Sequence, residues 1–246
     1  MILSFIIVEY YSISEILNCC SSIDKSTDSE LKYEIIVSSN SVYPDEYKAE
    51  LLSRYGNLKW IFNEKNGGFA YAMNCGLEKA IGDIFIIMNP DVKIKEGVND
   101  MLCFLQSHLD VGIIAPRIVD INGKVQDSFR TFITPWNFLY RHLLRFLGHE
   151  SYIKVNDEIQ EIDWVIGAFM ATSRSAYEKV GGLDDRYFMY CEDMDWCKRM
   201  HLQGYSVVYY PQAVIEYEGT RSARHSWKYA WIFMKSLFRY WTKFLW

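Results

Sequence analysis

Four short apolar runs in the first ninety residues each end on a polar segment, and helical patterns separate them. The runs are residues 2–8, 34–37, 58–62 and 84–88. The polar segments are Glu9-Tyr10-Tyr11, Ser38-Ser39-Asn40, Asn63-Glu64-Lys65-Asn66 and Asn89-Pro90-Asp91. Strands that are apolar over most of their length are buried on both faces. Their alternation with helices specifies an α/β chain with a mostly parallel sheet covered on both sides. Ligands bind such sheets at the carboxyl ends of the strands, so this topology gathers the four polar segments along one edge.

The intervening segments read as helices. Ser12 and Glu15 have capping-box spacing, followed by Ile13, Ile16, Leu17 and Cys20 at helical period. Pro44-Asp45 opens a helix expected to carry Leu51 and Leu52 inward. Phe69, Ala72, Met73, Gly76, Leu77 and Ala80 form one helix face. After about residue 111 the pattern changes. Residues 111–116 read as a strand, and residues 118–125 as a hairpin around Asn122-Gly123. Residues 135–147 form an aromatic, basic helical stretch, and residues 164–172 are strand-like. Residues 193–202 read as a helix and residues 207–210 as a last short strand. Gly181-Gly182 reads as a helix C-cap. No linker or repeat interrupts the chain, so we expect one domain over 1–220 in two halves, 1–110 and 111–220, and a helical tail over 221–246.

Composition excludes several classes. Half of the 246 residues are hydrophobic and 23% are charged, which excludes a disordered chain. A net charge of −5 lacks the chain-wide basic character suited to duplex nucleic acid. The six cysteines show neither CxxC pairs nor zinc spacing, and read as reduced, mostly buried thiols. The N-terminal apolar run is short and the first lysine is Lys25, as expected of a buried strand rather than a signal peptide. No apolar run approaches the roughly 18 residues of a membrane-spanning helix.

Two carboxylate sites stand out. Asp91 follows a buried strand and a proline. It is either an ordinary Asn-Pro-Asp turn residue or an anchor for a hard divalent cation on a diphosphate. Glu192, Asp193 and Asp195 crowd the start of a helix after an aromatic run. Helix capping accounts for one or two of them, and an ionised carboxylate beside a hydroxyl can serve as general base. Gly67-Gly68 after Asn66 is either a turn or a helix start whose N–H groups hold an anion.

In order along the chain come Leu3-Ser4-Phe5-Ile6-Ile7-Val8, Asn66-Gly67-Gly68-Phe69-Ala70 with Asn74 and Gly76, Gly82-Asp83, and Asn89-Pro90-Asp91. Then follow Gly167-Ala168-Phe169-Met170, Gly181-Gly182-Leu183-Asp184, and Phe188-Met189-Tyr190 leading to Glu192-Asp193-Met194-Asp195 and Arg199. This series resembles the family 2 inverting glycosyltransferases of GT-A fold, especially the rhamnosyltransferase-like branch, over residues 2–222. The resemblance implies a GT-A-type, Rossmann-like single domain. It implies that Asp91 binds Mg²⁺ or Mn²⁺ on the donor diphosphate and that Asp193 is the catalytic base. It places Asn66, Gly67 and Asn74 near the nucleotide and donor sugar, with Glu9, Ser39, Asn40 and Asn89 completing the donor side. Trp164, Gly167 and Glu192 shape the sugar or acceptor pocket. Where relatives carry Asn-Tyr-Asn after the first strand, this chain has Glu9-Tyr10-Tyr11. Where they carry Asp-Asn after the second, it has Ser39-Asn40. Where a His completes the metal site after the last strand, Glu216 offers a hard oxygen ligand.

From Gly219 to Trp246 there is no acidic residue, while Arg221, Arg224, Lys228, Lys235, Arg239 and Lys243 add positive charge among nine aromatics. Such a stretch is either an amphipathic helix on an anionic membrane surface or a helix packed on the core with snorkelling cations. The resulting expectation is a cytoplasmic enzyme, peripheral at the inner face of the membrane. It would move a sugar from a nucleoside-diphosphate sugar to a glycan or lipid-linked glycan during surface-polysaccharide synthesis, with no nucleic-acid partner. The rival readings are an inactive sugar-nucleotide- or glycan-binding scaffold at the membrane, and a nucleotidyltransferase. The latter lacks the glycine-rich phosphate loop it would need after the first strand.

Overall fold

The computed structural model describes residues 1–146, 157–219 and 227–244, the side chains of 141–146 excepted. The expected first strand is β1 (Ile2–Glu9). It pairs in parallel with β2 (Lys32–Ser39) on one side and β4 (Ile84–Met88) on the other, so that Ile6 stands between Ile36 and Ile87. β3 (Lys59–Phe62) extends the sheet beyond β2. Beyond β4 the order continues through β10 (Phe169–Ser173), β6 (Val111–Val119), β11 (Ser206–Glu216) and β5 (Lys93–Glu96), with β8 (Gln160–Glu161) also on β11. Six of these nine strands run the same way; β10, β5 and β8 run against them.

Alternate β1 side chains feed two cores, as strand geometry requires. Leu3, Phe5 and Ile7 pack with Ile16, Cys19 and Ile23 of α1 (Ile13–Ser26) and with Met101, Leu102 and Leu105 of α4 (Val98–Ser107). Ile6 and Val8 point the other way, into the core shared with Met73 and Leu77 of α3 (Phe69–Leu77) and Trp196 and Met200 of α7 (Glu192–Leu202). The remaining helices are α2 (Asp45–Arg54), α5 (Pro135–Phe146), α6 (Arg174–Val180) and α8 (Trp227–Phe244).

Four expectations need correction. Leu52 is exposed while Leu51 is buried, because α2 turns only one narrow stripe inward. The Ser12–Glu15 capping box does not form. Glu9 Oε1 takes the Ser12 N–H at 2.8 Å, and Glu15 turns to the Ser14 hydroxyl. The strand-like 164–172 stretch is two elements. β9 (Trp164–Val165) pairs with β7 (Phe129–Arg130) in a separate ribbon, and β10 inserts between β4 and β6. The last strand is an 11-residue element whose register shifts between Tyr210 and Val214, around Pro211, so its pattern reads as shorter. The Gly181 C-cap holds, at φ 81°. Asp120 and Gly123 close a turn, and Val119 bridges Val125 beyond it. All six cysteines are free, and four of them are buried.

Candidate active site

The site is built around the start of α7. Tyr190 and Cys191 both adopt left-handed backbone (φ 70° and 66°) immediately before Glu192. Two consecutive non-glycine residues in that region are strained. Here they turn the chain so that the helix begins with its carboxylates at a cavity wall. The half-buried Asp193 accepts the Gly167 N–H at 2.9 Å through Oδ2 and the Met194 N–H at 2.8 Å through Oδ1. Gly167 lies in the break between β9 and β10, so the split strand is what brings its N–H to the carboxylate. A Cβ at Gly167 would stand 3.3 Å from the Asp193 Cβ. Burial raises the Asp193 pKa. The two N–H groups and the charge of Arg130 oppose that rise. Glu192 is buried, its Oε2 has no partner, and its pKa is pushed well up by burial and then by Asp193.

Asp195 has a different job. It is 0% exposed and is held by Arg199 at 2.7 Å, Lys243 at 2.6 Å and the Tyr187 hydroxyl at 3.2 Å. Of the three crowded acids, this one ties helices together and the other two face a cavity.

That cavity encloses about 480 Å³ and is lined by Asn89, Trp164, Gly167, Glu192, Asp193 and Tyr217 among others. Expected pocket residues Trp164, Gly167 and Glu192 therefore do meet Asp193. Residues with no part in the expected site also line it: Asp127, Arg130, Tyr190, Tyr217, and Tyr229 and Phe233 of α8. Apart from Tyr190, which belongs to the Phe188-Met189-Tyr190 motif, no local motif marks them, because they come from four separate stretches of chain.

Asp91 is exposed and lines a neighbouring groove of about 290 Å³, with Glu15, Asn18, Lys93, Glu216 and Glu218. The two spaces adjoin along residues 89–91 and 216–218. Asn89 Nδ2 donates to the Tyr217 hydroxyl at 3.0 Å in this shared wall. Burial, then Asp91, and further on Asp193, push the Tyr217 phenol up to about 12. The two key carboxylates thus lie on either side of one tyrosine rather than in one cleft. Partial desolvation, with Glu15 nearby, raises the Asp91 pKa. Glu216 is not free as an ion ligand: Lys93 and Lys95 each hold one of its oxygens at 2.7 Å. Among the described residues there is no cluster of three or more His, Cys, Asp or Glu suited to a metal. The donor set that fits an ion is therefore one carboxylate, Asp91, with phosphate oxygens, as Mg²⁺ and similar ions accept.

The other expected donor residues are mostly inside the fold. Glu9 is buried, with Oε1 accepting from Ser12 N, Ser41 Oγ and Tyr43 Oη and Oε2 accepting from Ser39 Oγ at 2.5 Å. The Asn40 amide is spent on Gly68 O and the Asn63 side chain. Asn74 donates to Leu183 O and accepts from Leu183 N, clamping α3 to the turn after α6. These side chains position the loops. What the end of β1 presents outward is Tyr10 and Tyr11, ring to ring at 4.9 Å, with Tyr11 at φ 52°. Asn66 is exposed and its Oδ1 accepts the Gly68 N–H. Gly67 and Gly68 are required by contact. A Cβ at Gly67 would meet the Tyr71 ring at 2.4 Å, and one at Gly68 would meet the Phe188 carbonyl at 2.2 Å. Phe188 O accepts the Phe69 N–H, so the start of α3 docks on the loop leading to α7.

α8 has two faces. Its inner side buries Leu237 and Tyr240, donates Ser236 Oγ to Met189 O and Trp241 Nε1 to Ile133 O, and places Lys243 between Asp184 and Asp195. Its outer side carries Trp227, Trp231 and Phe238 at 93%, 74% and 66% exposure, with Met234 on the same stripe. In α5, Trp136, Leu139 and Tyr140 are exposed as well, and Phe138 packs on Trp241. Arg221, Arg224 and Trp246, the side chains of Arg141, Arg145 and Phe146, and residue 147 lie outside the described residues. Among the described residues, no helix is long and apolar enough to cross a membrane.

A parallel-stranded α/β sheet that brings a helix-start carboxylate and a post-strand Asp to one edge is the architecture of the GT-A class. The structure of GalNAc-T7 with UDP, GalNAc and Mn²⁺ matches it at TM-score 0.68 and 15% identity, over 87% of this chain and 42% of that one. The mannosyltransferase PcManGT from Pyrobaculum calidifontis, solved with GDP-Man and Mn²⁺, matches at TM-score 0.60 and 18% identity, over 92% and 59%. Within that class the chain belongs to Glycosyl transferase family 2, whose profile matches residues 4–181. The rhamnosyltransferase WbbL of Escherichia coli is 38% identical over 220 residues, 85% of this chain and 81% of that protein. The N-acetylglucosaminyl-diphospho-decaprenol L-rhamnosyltransferase of Mycobacterium tuberculosis is 28% identical over 193 residues, and this chain spans 60% of its length.

Proposed function

We propose that the chain is an inverting glycosyltransferase that moves a rhamnosyl or hexosyl unit from a nucleoside-diphosphate sugar to a glycan or lipid-linked glycan. The observation that carries this reading is the Asp193 carboxylate, exposed to a cavity of small-ligand size and aimed by the Gly167 and Met194 N–H groups. Family membership supports the reaction class, and the two rhamnosyltransferase relatives support the sugar class.

Asp193 takes the proton from the acceptor hydroxyl as that oxygen attacks the anomeric carbon, and the nucleoside diphosphate leaves from the opposite face. The Gly167 and Met194 N–H groups each hold one carboxylate oxygen, which fixes the group while each oxygen keeps a lone pair for the acceptor. Asp91 is the residue that would hold Mg²⁺ or Mn²⁺ against the donor diphosphate, a reading supported by the Mn²⁺ in the two GT-A structures. When bound, such an ion neutralises charge on the leaving phosphate. The exposed stripe of α8, flanked by Lys228 and Lys235, supports peripheral contact with an anionic bilayer at its cytoplasmic face, where a lipid-linked acceptor of surface-polysaccharide synthesis resides.

The test pairs a thermal-shift screen against UDP-, GDP- and dTDP-sugars with Mn²⁺ present and a transfer assay of Asp193→Asn. The variant keeps the donor-induced shift of the parent and loses transfer by 10²-fold or more. Transfer at the parental rate would refute the base assignment.

A further inference from the structure

The cavity holds polar groups that proton transfer does not use. β7 and β9 pair antiparallel with Arg130 opposite Trp164, and the guanidinium carbon stands 5.9 Å from the centre of the indole. Arg130 grips Asp127 Oδ2 with two nitrogens, at 3.0 and 2.9 Å. Both bonds fall on the same oxygen. The other, Asp127 Oδ1, is buried without a partner, and so is Glu192 Oε2. Asp127, Arg130, Trp164, Glu192 and Asp193 all line the one cavity.

Two unpartnered carboxylate oxygens in one cavity call for a ligand that donates hydrogen bonds, since a buried acceptor left unpaired is costly. Phosphate esters and carboxylates accept and do not donate when ionised. They would also meet the carboxylates of Asp127 and Asp193, with Arg130 as the single positive charge among the described lining residues. A sugar hydroxyl both donates and accepts. The Asp127–Arg130 pair offers an acceptor beside a planar donor fork, and Trp164, Tyr217 and Phe233 give the apolar walls that a sugar's C–H faces need.

We propose that Asp127 and Arg130, with Glu192 and the Trp164 wall, form a subsite that binds the hydroxyls of an uncharged sugar ring, the reacting residue of the acceptor. This deepens the glycosyltransferase reading and rests on it. Any phosphate of a lipid-linked acceptor then lies outside the cavity, which admits only the uncharged ring.

The test is ligand-observed NMR of the full chain with methyl glycosides of glucose, galactose, mannose, rhamnose and N-acetylglucosamine, beside the corresponding glycosyl phosphates. At least one methyl glycoside binds the parent protein. Its affinity falls fivefold or more in both Asp127→Asn and Arg130→Met, while the nucleotide-sugar thermal shift stays unchanged. Both side chains are partly exposed, so both variants fold, and a melting curve checks this; Arg130→Lys substitutes for any variant that does not. Binding indifferent to both substitutions, preference for the phosphates, or no glycoside bound at 50 mM would each overturn the proposal. A parent protein that shows no shift with any nucleotide sugar would instead overturn the glycosyltransferase reading, and the two failures are read separately.

Discussion

Lys243→Met removes the cation that α8 places between two acids. In the intact protein its ammonium lies 2.6 Å from Asp195, which has no exposure, and 2.8 Å from Asp184. Removing one partner of a buried ion pair costs about 3–5 kcal/mol because the other charge is left uncompensated. Arg199 and the Tyr187 hydroxyl still serve Asp195, and Arg186 still serves Asp184. The expected loss is therefore about 2–3 kcal/mol, below that range. For a chain of this length each kcal/mol moves the melting temperature by about 2–4 °C, so the variant melts about 4–12 °C lower at pH 7. The pH dependence has a definite sign. Arg186 and then Lys243 hold the Asp184 carboxyl below its ordinary range. A depressed carboxylate stabilises the fold above its unfolded pKa, and that contribution is lost as pH falls through the depressed value. The gap between parent and variant is thus full at pH 7 and narrows in acid. Melting curves from pH 7 to pH 3, with Asp195→Asn and the double variant completing a cycle, measure both effects. A shift under 1 °C at neutral pH would refute the reasoning that α8 secures α7 through this lysine.

Glu192→Gln removes a buried carboxyl whose pKa burial and Asp193 raise. Such a group favours the fold at low pH and penalises it as pH rises, so the variant melts higher than the parent at pH 7 and not at pH 4. EDTA stops transfer and either Mg²⁺ or Mn²⁺ restores it, whereas full activity in chelator removes Asp91 from any metal role. Trp231→Ser with Phe238→Ser weakens binding to vesicles containing anionic lipid by tenfold or more in sedimentation, and added salt weakens the parent's binding too.

Much of the fold was legible in residues 2–110, because largely apolar strands alternating with amphipathic helices admit few arrangements. Asp193, Glu192 and Trp164 were legible as a pocket through the ordered motifs around them. Glu9 and Asn74 misled. Polar residues at strand ends and helix starts look like ligand contacts, yet here they spend their hydrogen bonds on Ser39, Ser12 and Leu183. β5 and α4 carried no distinctive motif and were missed between Asp91 and Val111.

Local patterning determined the parallel sheet, the edge where polar segments collect and the helix that starts with acids, since each depends on residues near in sequence. Tertiary packing alone decided which acids face the cavity and which are locked away. Asp195 and Asp193 are two residues apart on one helix. Only the arrival of Lys243 at one and of the Gly167 amide at the other separates a structural ion pair from a carboxylate that faces the cavity. Those partners come from distant chain segments, and their placement depends on how whole elements pack, which short-range sequence patterns do not encode.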